Sequence, residues 1–214
     1  MHLDTGELSS INAELQTQSP EQRITYFLES FGESFVMTTS FGEESAIMLD
    51  LAARICPDIP VIYVDHGCWR EPSLQNRFVE RCIRRFSLNL FVVRPQETIN
   101  FSAVFDALEQ PALLESLKYI GKKEPLKRAL KYLGASAWMS GVSRHETTER
   151  QTLEIFMENG AGYKLHPIVD LDTAQRDSYI SSHGLLRNTD YFDIFKGLHG
   201  KLECGLHTDI GVNI

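Results

Sequence analysis

At 214 residues, with 43% apolar and 23% charged side chains, the chain has the size of one ordinary domain with room for a real core, and its composition excludes general disorder. Its 21 basic and 29 acidic residues give a formal net charge of −8, which argues against nucleic-acid or membrane binding through broad basic faces but leaves room for a locally positive pocket and a small anionic ligand. No apolar run approaches the ~18–20 residues of a membrane span, and the N-terminus MHLDTGELSS has acids and no apolar signal-peptide core, so a cytoplasmic location is expected.

Residues 1–32 read as an N-terminal helical segment of one or two amphipathic helices, with Ser19-Pro20 opening the second. Five short apolar runs rich in β-branched and aromatic residues follow: Phe35–Thr39, Val61–Asp65, Leu90–Arg94, Ala137–Val142 and Tyr163–Val169. Between them Glu44–Arg54, Pro72–Arg85 and Pro125–Leu133 keep helical apolar spacing, and Asp172 or Thr173 caps a further helix ending near His183-Gly184. Continuous apolar strands alternating with helices predict an α/β fold, a doubly wound, mainly parallel five-stranded sheet flanked by helices. Its main domain spans 33–186, and 187–214 is a mobile C-terminal tail. In such sheets ligands sit at the carboxyl ends of the strands.

The candidate chemistry falls at those ends. After the first run, Ser40-Phe41-Gly42-Glu43-Glu44-Ser45 offers hydroxyls, a glycine turn and a helix N-terminus to an anion, although an ordinary N-cap serine accounts for it about as well. It is not the G-x-x-x-x-G-K-[ST] phosphate loop. The second run ends in Asp65-His66-Gly67, where the carboxylate suits a ribose or an adenine amino group, or simply a turn. Lys122, Lys123, Lys127, Arg128 and Lys131 read first as a solvated helix face. Ser143-Arg144 and then Arg150 follow the fourth run, where a guanidinium can grip a phosphate or sulfate. His166 closes the fifth, more often a structural histidine than a ligand. The four cysteines, Cys56, Cys68, Cys82 and Cys204, include no C-x-x-C pair, so no metal site is expected. Cys204 has charged neighbours and flanking glycines, which favours a redox or nucleophilic thiol over a buried one.

Several stretches together resemble the phosphoadenylyl-sulfate (PAPS) reductases and related adenylyl-sulfate (APS) reductases. They are Thr38-Thr39-Ser40-Phe41-Gly42, Asp65-His66-Gly67, Glu124-Pro125-Leu126-Lys127-Arg128-Ala129-Leu130, Gly141 through Arg150, Pro167-Ile168-Val169-Asp170, and above all Glu203-Cys204-Gly205-Leu206-His207. The resemblance implies an adenine-nucleotide-binding α/β domain and catalysis by Cys204 with His207. The substrate would be held by Ser40, Phe41, Gly42, Ser45, Asp65, Gly67, Lys122, Arg144 and Arg150. It implies reduction of PAPS to sulfite through an S-sulfocysteine, thioredoxin or glutaredoxin as external donor, a homodimer and a role in sulfate assimilation. Cluster-bearing members carry paired cysteines before the Glu-Pro-Leu motif; here Leu117-Lys118 stands there, so no iron–sulfur cluster is expected. The alternatives are a cluster-free APS reductase or a non-catalytic nucleotide-binding relative. Two departures stand out: Ser143-Arg144 replaces a pair of arginines, and the stretch Leu186–Glu203 before the cysteine is short.

Overall fold

The computed structural model describes residues 3–160, 162–198, 202, 203 and 206. Cys204 and His207 therefore lie outside the described residues. Helices α1 (Thr5–Leu15) and α2 (Pro20–Phe31) open the chain, each started by a reciprocal capping box, Asp4 with Glu7 and Ser19 with Gln22. Strand β1 (Phe35–Thr39) leads to α3 (Ser45–Ile55), β2 (Pro60–Val64) to α4 (Pro72–Phe86), and β3 (Asn89–Val93) to α5 (Phe101–Ala107) and α6 (Pro111–Lys118). A single π-helical turn, Tyr119–Lys123, joins α6 to α7 (Glu124–Tyr132). Strands β4 (Ala137–Ser140), β5 (Phe156–Asn159) and β6 (Gly162–Leu165) precede α8 (Thr173–Ser182), which Asp172 caps.

Among the described residues the sheet has six strands, in the order β3-β2-β1-β4-β6-β5. All neighbours are parallel except β5 and β6. The mainly parallel, helix-flanked fold is as expected, but the count of five strands is corrected to six. The added strand is an antiparallel edge formed by a hairpin, with Gly160 at φ 65°, a backbone state that costs glycine little. Phe156-Met157-Glu158-Asn159 has no strand-like apolar run of its own. Pairing with β6 and cover from α1 make it a strand: the Asn12 amide accepts from Phe156 N–H and donates to Phe156 C=O at 2.9 and 2.7 Å.

Strand faces alternate between two cores, which is why the runs are apolar throughout. Phe35, Met37, Val61, Tyr63, Ala137 and Met139 face the larger core under α1–α4 and α8. Val36, Ile62, Val64 and Trp138 face Leu126, Ala129 and Leu130 of α7. A third cluster packs Val104, Ala107 and Leu114 of α5 and α6 against Ile194 and Phe195. The buried Arg23 guanidinium grips Asp170 through two 2.7 Å bonds, tying α2 to the loop that follows β6. Beyond α8 the chain returns over the carboxyl edge of the sheet, where Asn188, Asp193, Ile194 and Phe195 are all buried. None of the helices among the described residues is long and apolar enough to cross a membrane.

Candidate active-site cleft

A cleft of about 400 Å³ opens at the carboxyl ends of β1, β2 and β4. Among the site residues expected from sequence, Ser40, Gly42, Ser45, Lys122 and Arg150 line it. Phe41, Asp65, Gly67 and Arg144 are not on its wall, and their contacts explain why.

Phe41 sits at φ 50°, which turns its ring into the core, edge-on to Tyr63 at 4.9 Å between centroids. Its carbonyl accepts from the Asn188 amide at 2.8 Å, and that amide also donates to Gln75 at 2.9 Å. The loop is thus pinned from behind, with Ser40 and Gly42 left on the cleft side. The Ser45 hydroxyl donates to Gly42 C=O at 2.8 Å as α3 begins. Asp65 accepts from the Trp69 indole N–H and from Arg94, both at 2.9 Å. Gly67, at φ 74°, makes the turn between them. Arg144 donates to Leu153 C=O at 2.7 Å, so its guanidinium braces the loop after β4.

His66 is buried on the cleft wall. Its Nδ1 accepts the Cys68 backbone N–H at 3.1 Å, which leaves the ring proton on Nε2. Burial, and then the neighbouring Lys122 ammonium, push its pKa down to about 3, so the ring is neutral at pH 7. The 3.8 Å approach of Nε2 to Asp193 is therefore not an ion pair. Lys122 and Asp193 do form one, fully buried. Burial alone would raise the Asp193 pKa, but Lys122 outweighs it and holds the carboxyl ionised. The π-helical turn supplies Lys122: its wider winding brings Lys118 and Lys122 inward, both buried, while Gly121 passes close to the Phe195 ring.

Lys164, on β6, is buried at the cleft wall and donates to Leu206 C=O at 2.9 Å. Arg150 ends a 3₁₀ turn and is held by two carboxylates, with Nη1 on Glu146 at 2.5 Å and Nε and Nη2 on Glu203 at 2.8 and 3.0 Å. His166 lies off the cleft, its Nδ1–H donating to Glu154 C=O at 2.9 Å. Four buried donors on the wall, His66 Nε2, Trp138 Nε1, Ser140 Oγ and Arg176 Nε, have no hydrogen-bond partner among the described residues. Buried donors are rarely left unmatched, so such a cluster suits a ligand rich in acceptors. The pattern reading passed over Asp193, Trp138 and Lys164. Asp193 did leave a trace, as a lone carboxylate within the apolar run Tyr191–Phe195.

Cys56, Cys68 and Cys82 are buried free thiols, each pushed up by burial to about 11. They are protonated at neutral pH. Among the described residues no group of three or more His, Cys, Asp or Glu side chains is placed to hold a metal ion.

Residues 34–198 match the phosphoadenosine phosphosulfate reductase domain. The chain is 34% identical to the phosphoadenosine 5'-phosphosulfate reductase of a Synechococcus strain, over 94% of this chain and 97% of that one. With the Synechocystis protein of the same name identity is 37%, covering 84% and 73% of the two chains. Among solved structures, the PAPS reductase from Candida auris in complex with phosphate superposes with a TM-score of 0.73 at 19% identity, covering 88% of this chain and 91% of that one.

Proposed function

The chain belongs to the phosphoadenosine phosphosulfate reductase family, and from that membership we propose that it reduces 3'-phosphoadenylyl sulfate to sulfite and adenosine 3',5'-bisphosphate, with Cys204 as nucleophile. The Cys204 thiolate attacks the sulfate sulfur. An S–S bond forms, the bond from sulfur to the 5'-phosphate oxygen breaks, and the bisphosphate leaves with that electron pair. A dithiol protein of the thioredoxin or glutaredoxin class then attacks Cys204 Sγ. Sulfite departs, and the donor's second thiol resolves the mixed disulfide, so the donor loses two electrons and a free Cys204 is regenerated.

The observation that carries this reading is the docking of Glu203, the covalent neighbour of Cys204, onto Arg150 in the cleft. Elimination supports it too, since Cys56, Cys68 and Cys82 are buried and protonated. A thiolate approaching an anionic sulfate needs cationic surroundings, and the cleft walls hold Lys122, Arg150, Lys164 and Lys196. Ser40, Gly42 and Ser45 are assigned to the phosphate groups, and His207 to the tail's own chemistry. The proposed setting is a cytoplasmic homodimer in sulfate assimilation, working without a bound cluster.

The test is sulfite release with reduced thioredoxin, PAPS and APS being supplied in parallel. PAPS should be turned over preferentially, and C204S should lose turnover by at least 10³-fold, the scale on which removing a covalent nucleophile acts. A preference for APS overturns the substrate assignment, and an active C204S overturns the mechanism.

A further inference from the structure

Lys164 is an anomaly of β6. The strand is buried throughout, and the lysine stands in it between Tyr163 and Leu165, opposite Trp138 of β4 in the parallel register. It is 1% exposed, and a buried ammonium persists only where acceptors meet it. One acceptor comes from the far end of the chain: Nζ donates to Leu206 C=O at 2.9 Å. The Leu206 side chain lies half-buried against the cluster of Ile62, Val64, Leu126 and Trp138. Three residues earlier, Glu203 accepts from Arg150 on both oxygens and from the Thr147 hydroxyl on one. Two cations, Arg150 and Lys196, meet two carboxylates, Glu146 and Glu203, at that corner, so its charges balance. Leu206 is part of the cleft wall, and the cleft of about 400 Å³ lies open beside it. An anchored tail and a bound nucleotide are therefore compatible.

We propose that Lys164 is a positioning residue for the nucleophile: with the Leu206 side chain it forms the second of two anchors, one on either side of Cys204, that hold the thiol to the sulfate of a bound nucleotide. Glu203 on Arg150 is the first. A chain pinned at one point still swings, whereas three peptide units span at most ~11 Å, so a second pin limits what lies between. Attack on sulfur needs that limit, since a misplacement of about 1 Å is enough to slow a reaction by ~10²-fold. The groups that the tail offers at this anchor, a backbone carbonyl and a leucine side chain, are uncharged and add no repulsion to an anionic substrate. Lys164 thus acts through Cys204. This deepens the reductase reading and rests on it.

The first displacement isolates the effect. Mass spectrometry of the intact chain mixed with saturating PAPS, without reductant, follows S-sulfonation of Cys204. K164Q loses a bond to a charged group and should slow it about tenfold. L206A, which removes no charge and leaves the folded wall intact, should slow it comparably. K164R keeps a donor and should recover most of the rate. In K164Q/L206A the loss should fall short of the product of the two, because both act on one anchor. PAPS affinity, by calorimetry of C204S and K164Q/C204S, should be nearly equal. Independently of turnover, tryptic cleavage after Lys201 in the unliganded chain should quicken several-fold in K164Q and L206A. A parental sulfonation rate in L206A overturns the anchor. So does a K164Q that loses PAPS affinity but keeps the saturated rate, because Lys164 would then hold the nucleotide. Cleavage unchanged in both variants refutes the contact itself. If the parent chain forms no adduct with PAPS or APS, the reductase reading fails and the positioning role falls with it.

Discussion

Lys122 shows how much a single side chain in this molecule depends on a partner distant in sequence. Taken alone, Lys122 and its basic neighbours suggest a solvated face, and Arg128 does lie partly exposed against Glu124. Lys122 is instead buried against Asp193, with its ammonium 5.0 Å from the centre of the Phe195 ring. Nothing local announces this, because the pairing spans 71 residues. The residues of the first strand-to-helix loop were legible, since hydroxyls and a glycine between a strand and a helix carry their meaning locally; Asp193 could be found only once the chain beyond α8 was folded back. K122M should strand a buried carboxylate and destabilise the fold by about 3–5 kcal/mol. K122M/D193N should recover much of that loss, because the orphaned charge is then gone. Urea unfolding midpoints of the two single variants and the pair measure it. Losses that simply add would show that the two groups do not stabilise one another.

The same division between local and distant determinants runs through the elements. β1, β2, β4 and β6 were readable because a strand buried on both faces writes a continuous apolar run; the edge strand β3 carries an apolar run as well, Leu90–Val93, although Val92 is exposed. Their ends were less so: the run around β6 extends to Val169, yet the strand stops at Leu165, where His166 N–H turns to Ile155 C=O and Pro167 has no N–H to offer. β5 was invisible because its strand state comes from pairing. Helices α5 and α6 are short, and their apolar residues meet Ile194 and Phe195 rather than the sheet, so no sheet-facing rhythm marked them. The junction of β4 and β6 is closely packed. A Cβ placed on Gly162 would lie 2.7 Å from the Trp138 ring and 3.0 Å from Ser136 C=O, neither of which can move freely. G162A should therefore cost about 1–3 kcal/mol by overpacking, read as a lowered urea midpoint. Because Trp138 also lines the cleft, its fluorescence maximum should shift in the native state. A variant with unchanged midpoint and emission would mean that the strand pair can slide apart at little cost.

For the molecule as a whole, buried titratable groups set an acid limit that begins before its carboxylates protonate. His66 and His166 are both held neutral in the fold, with pKa values near 3 against an ordinary 6.5, burial being the first cause in each. Below pH 6.5 the unfolded chain takes up protons at these rings and the folded chain does not, so stability rises with pH across that window and falls on acidification. At pH 5 each ring should cost about 2 kcal/mol relative to pH 7. Asp170, Asp193 and Glu203 are shifted down as well, and their contribution, present above the ordinary carboxylate range, is lost only at lower pH, as they protonate in the fold. The histidines therefore act first. Asparagine can imitate the Nδ1 contact of either ring, accepting from Cys68 N–H in one case and donating to Glu154 C=O in the other. H66N/H166N should lose stability at pH 7 from lost packing, yet show a much flatter urea midpoint between pH 7 and pH 5 than the parent chain. If the parent is equally stable at both values, the rings are not excluded from protonation. If the double variant keeps the parent's slope, other groups carry the acid sensitivity.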